Sequence, residues 1–173
     1  NAVTNAVTFN NTGILTVGNA VGDGMTFAGG ATKTNAGGKS FAGTIGASGA
    51  ANLNFGTAGA VTNTADASFG GTTGTITLWD TVINDGFTLN LGNGSASTVL
   101  VNGVSGVAAG AVSNLTIQNA GADSTVTNAV GTDIGVVTTT KSGGSSYFAG
   151  DFAAATLAVG AGADNLSVAG AVD

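Results

Sequence analysis

Ser40–Gly71, SFAGTIGASGAANLNFGTAGAVTNTADASFGG, places Phe41, Phe55 and Phe69 at intervals of 14 residues, each preceded by Ser or Asn and followed by a small residue. The series extends to Phe9, Phe27 and Phe87, with the outermost spacings relaxing to 18, and YFAG returns at 147–150. A second unit, apolar–x–apolar and usually closed by Gly, begins at Leu15, Leu53, Leu89, Leu115 and Leu157. A short strand and a glycine turn recurring along a chain is the pattern of a solenoid, in which each unit buries one inward row. The reading is therefore all-β, a β-solenoid-like stack of short strands with successive Phe rings forming a ladder. An antiparallel β-sandwich or jelly roll, with Phe marking alternate strands, stays open beside it.

The rest of the chain supports strands throughout. Apolar residues alternate with Thr, Asn and Ser over short runs, and Gly or Asn-Gly breaks supply the positive φ of tight turns. Strands are expected at 6–10, 13–18, 25–29, 52–56, 74–83, 87–92, 97–104, 114–119, 134–140 and 155–160. Helix is conceivable only in the Ala-rich 151–155 and in 106–113, and both contain or adjoin Gly. Residues 1–173 read as a single β-rich domain or as a section of a longer repetitive protein. No apolar run is long enough to span a membrane as a helix, and no secretory leader opens the chain.

Composition narrows the function. The 173 residues include 31 Gly but no Cys, Pro or His, and the acidic residues are all Asp. Three Lys against nine Asp give a net charge of −6, yet only 7% of residues are charged. Average domains carry about 25%. With 43% apolar residues the chain can bury a core, unlike disordered sequences. So few cations argue against nucleic acid or an anionic membrane surface as partner. Without Cys there are no disulfides, thiol catalysis or thiolate metal sites.

The L-x-Φ-G-x-[A/G] units in a Thr/Asn/Gly/Ala background resemble bacterial cell-surface β-strand-repeat proteins, both surface-layer proteins and autotransporter passenger domains. The resemblance implies secretion to the bacterial cell surface, a β-rich body and a structural or adhesive role. It also implies calcium as a lattice-stabilising ion. Locally, GAGADNLSV (160–168) fits the G-x-G-x-D-x-U core of calcium-binding nonapeptide repeats through Gly160, Gly162, Asp164 and Leu166, and AGADSTV (120–126) echoes it with Asp123. Calcium takes 6–8 oxygen ligands and one such turn supplies about half, so a single good copy competes with a plain strand-entry turn.

Catalytic chemistry is thinly provided. No His, Cys, Glu or Arg is present to act as general base, activated nucleophile or oxyanion clamp. Asp80 and Asp85 are the one formal carboxylate pair, and both read more simply as solvated turn residues. GGKS (37–40) lacks the spacing of a phosphate-binding loop. Sequons at Asn10, Asn93, Asn114 and Asn165 are expected by chance in this composition. Trp79 reads as core, Tyr147 and Phe148 as exposed aromatics, and Lys33, Lys39 and Lys141 as solubilising or edge-guarding charges. No Lys–Asn–acid triad for an intramolecular isopeptide stands out, and the Thr runs lack the fixed spacing of an ice-binding face.

The function expected is that of an extracellular, non-enzymatic structural protein that self-assembles into a surface layer or filament. NAVTNAVTF (1–9), alternating and uncharged, is the expected exchanged strand. The alternative is an autotransporter-type adhesin passenger that binds host proteins or a cell-surface glycan.

Overall fold

The computed structural model describes residues 1–93, 95–162 and 164–173. Among the described residues it contains 19 strands and no helix. Every strand pairing is parallel. The chain winds as a solenoid of about eight coils. Each coil crosses an 8-stranded sheet, here face one, and then an 11-stranded sheet bent into faces two and three.

After β1 (Ala2–Val3) on face three, the first coil runs β2 (Val7–Phe9), β3 (Leu15–Val17) and β4 (Gly24–Phe27). The second is β5 (Ala31–Lys33) and β6 (Lys39–Ala47); the third is β7 (Leu53–Phe55) and β8 (Val61–Gly70). In these two coils one long strand serves faces two and three, and its register shifts between Phe41 and Gly43. Gly43 turns that corner at φ +75°, and a Cβ there would lie 2.2 Å from the Asp23 carbonyl oxygen, so only Gly fits.

The fourth coil separates the faces again as β9 (Thr75–Leu78), β10 (Thr81–Ile83) and β11 (Thr88–Gly92). The fifth is β12 (Thr98–Val101), β13 (Val104–Gly106) and β14 (Ser113–Ile117). Then come β15 (Ser124–Val126) with β16 (Ile134–Thr139), β17 (Ser145–Phe148) with β18 (Thr156–Val159), and β19 (Asn165–Val168). In these last coils face two shrinks to single bridges through Val130, Phe152 and Val172.

The coil length differs from the Phe spacing. Leu89 pairs with Leu115, 26 positions on, whereas Val137 pairs with Leu157, 20 positions on. Phe41, Phe55 and Phe69 therefore cannot stack in register. They come from faces two, one and three and meet inside the stack, with centroids 4.8 Å (Phe41–Phe55), 5.0 Å (Phe41–Phe69) and 6.2 Å (Phe55–Phe69) apart. The expected ladder is instead a triad with one ring from each face. A ladder does exist in the second unit: Leu89, Leu115, Val137 and Leu157 align on face three. Leu15 and Leu53 belong to the other two faces.

Two segments fold differently from their sequence pattern. The apolar run 74–83 is two strands, because the chain turns at Trp79–Asp80 from face one to face two. The N-terminal NAVTNAVTF is likewise split, with β1 pairing β4 and β2 pairing β5. Within this chain it completes the first coil instead of forming a single strand for exchange.

Candidate functional site

Inward positions are apolar along most of each face. On face one the row Val7, Ala31, Leu53, Ile76, Val99 continues as Ser124 and Ser146 before returning to Leu166. On face three, Leu91 and Ile117 are followed by Thr139. The change marks a buried polar seam where face three turns into face one, in successive coils. Ser97, Asn119, Ser124, Thr139 and Ser146 are all buried there, and Lys141 is only 2% exposed.

The sequence-predicted metal residues lie on this seam. Asp123 precedes β15 and its Oδ1 accepts from the Ser145 N–H at 2.9 Å. Asp164 precedes β19 and its Oδ2 accepts from the Ser146 hydroxyl at 2.9 Å, while its Oδ1 is buried without a partner among the described residues. The cation associated with these carboxylates is Lys141, whose Nζ donates to Ser145 O at 2.6 Å and to Ser124 Oγ at 3.3 Å. Burial lowers the Lys141 pKa, and Asp164 and Asp123 oppose that shift. A lysine ammonium bonded to one carbonyl and one hydroxyl beside these carboxylates is a poor fit for calcium, which needs 6–8 converging oxygens and no competing cation. Among the described residues no group of three acidic side chains converges either.

The other two lysines are also turned inward, against the expectation of surface charges. Lys33 is fully buried and its Nζ donates to Asn11 O at 2.8 Å, and to Asn11 Oδ1 and Gly13 O at 3.3 Å. Lys39, 1% exposed, donates to the carbonyls of Thr57, Ala58 (3.3 Å) and Gly59 (2.9 Å). The corners that receive them, between faces one and two, are wide loops (10–14 and 56–60). By the fourth coil this corner has narrowed to Trp79–Asp80. The lysines supply donors to carbonyls that bulge out of the ladder, and long aliphatic stems make them compatible with the core. Burial chiefly, and Lys33 beside it, lower the pKa of Lys39.

The remaining candidates disperse. Asp80 and Asp85 lie beyond opposite ends of β10, and Asp80 Oδ1 accepts from the Asn102 amide at 2.7 Å. Trp79 is half-buried at its corner and packs against the core. Tyr147 is 41% exposed, but Phe148, the next residue, is buried and meets Phe152 at 5.2 Å, as strand alternation requires. Asn10, Asn93 and Asn165 are exposed and Asn114 is half-buried.

A cavity of about 470 Å³ opens at the first coil, lined by Val3, Phe9, Leu15, Val17, Met25 and Phe27 among others. Among the described residues the outer edges of β18 and β19 have no strand partner, with Val159 54% and Val172 69% exposed. No protein-family model matches the chain, and no curated protein or solved structure matches it.

Proposed function

We propose that this chain is a structural element of an extracellular assembly at the bacterial cell surface, packing side by side with its copies. The observation that carries the reading is the character of the stack's sides. Outward rows, such as Thr16, Ser40 and Thr62 on face two, are small, polar and uncharged. Lys33, Lys39 and Lys141, the three lysines of the chain, are all turned inward. Lateral packing of copies therefore desolvates few charges.

Electron microscopy of the purified chain, with and without a calcium chelator, tests this. Sheets or bundles of laterally packed particles are expected in both conditions, because the packing uses no ion. Isolated particles in both conditions would contradict the assembly.

A further inference from the structure

Among the described residues the seam brings together the buried amine of Lys141, the buried carboxamide of Asn119 and the half-buried carboxyl group of Asp164, whose Oδ1 is buried without a partner. Asn119 is fully buried, and its Nδ2 donates to the carbonyls of Ser97 at 2.7 Å and Ala122 at 2.8 Å. Its Oδ1 accepts from the Ser124 hydroxyl at 2.7 Å. That hydroxyl in turn accepts from Lys141 Nζ at 3.3 Å. The amine and the carboxamide therefore flank a single hydroxyl, and the carboxamide is held from three sides.

We propose that Lys141 and Asn119 become joined by an isopeptide bond that forms within the folded chain. A rotation of the Lys141 side chain carries Nζ from Ser124 toward Asn119 Cγ. Asp164 takes one proton of the Lys141 ammonium on its free Oδ1. The Nζ lone pair then adds to Cγ, whose oxygen is polarised by the Ser124 hydroxyl. A second proton passes from Nζ to Nδ2, the Cγ–Nδ2 bond breaks and the nitrogen departs as ammonia, which takes the first proton from Asp164 and leaves as ammonium. One amide replaces another, nothing is oxidised or reduced, and no further reactant enters. Burial favours the neutral amine that this attack requires.

The other lysines lack this arrangement. Lys39 has only carbonyl partners, and the amide that Lys33 touches belongs to the exposed Asn11. The bond would tie the corner after β14 to the corner after β16, stapling adjacent coils where the interior is least apolar. The proposal is independent of lateral assembly.

Intact-mass measurement of the denatured full-length chain is the test, and the wild type decides it; circular dichroism shows whether each variant has folded before its mass is compared. The wild type is expected to be lighter than its sequence by one ammonia, with a linked pair of peptides containing Lys141 and Asn119 after digestion. Asn119→Ala and Lys141→Arg are expected at their full sequence masses, and Asp164→Asn is expected to form the link more slowly. A wild-type chain that keeps its full mass through prolonged incubation overturns the proposal. So does an ammonia loss that persists in Asn119→Ala.

Discussion

Phe41 and Phe55 meet edge to face at 4.8 Å although they lie on different faces and in successive coils, and Phe69 closes the triangle from the third face. All three are fully buried. Replacing Phe41 by Ala removes a ring that touches both partners and leaves a cavity bounded by three faces. The expected loss is about 3–5 kcal/mol of unfolding free energy. A double-mutant cycle between Phe41 and Phe55 should return a coupling of about 0.5–1.5 kcal/mol, read from denaturant titrations. Additive effects would show that the rings pack independently.

Gly43→Ala tests the bend between faces two and three. The substitution needs φ near +75° with a Cβ 2.2 Å from the Asp23 oxygen, so backbone must move. A loss of about 1–3 kcal/mol in thermal or chemical unfolding is expected. Gly49→Ala is the control, since positive φ without any neighbour within 4 Å should cost less.

Buried ammonium groups bonded to carbonyls should not react. Treatment of the folded protein with an amine-acylating reagent is expected to leave Lys33 and Lys39 unmodified by peptide mapping, and unfolding should expose both. Rapid acylation of either in the native state would contradict its placement.

The same burial sets a pH dependence. Lys39 titrates below its ordinary value of 10.5 in the folded chain, chiefly through burial and secondarily through Lys33. Between the folded and unfolded pKa values the unfolded chain binds more protons, so this residue's contribution to stability rises with pH across that window. Unfolding midpoints measured there should respond less to pH in Lys39→Met than in the wild type. An equal slope in both would reject the role assigned to Lys39.

The period-2 alternation and the Gly and Asn-Gly breaks made most strands legible, because they report which side chains face inward. The two longest strands, β6 and β8, were not, since Gly, Ala and Ser dilute the apolar signal there; their packing comes from neighbouring coils. Nor were the short β5, β15, β17 and β19, which lie outside the expected ranges. The Phe period was visible but its meaning was not: coils that vary from 20 to 26 residues cannot be read from a spacing of 14. Inward lysines were also hidden. A lysine at an alternate strand position looks like any surface charge until the carbonyls of the adjacent corner are known. Asp123 and Asp164 were picked out by motif, but Ser124, Ser146 and Asn119 carried no local signal. Their burial follows from stacking rows that lie 22 positions apart, as Ser124 and Ser146 do.

Self-association through the sides of the stack is the central claim, and sedimentation velocity over a concentration series tests it most directly. Wild-type protein is expected to sediment faster as concentration rises, without a plateau, because each added copy brings a further uncharged face. Thr62→Lys, which puts a cation in the outward row of face two, is expected to shift that rise to higher concentration. A wild type that sediments as one chain at every concentration would contradict the account.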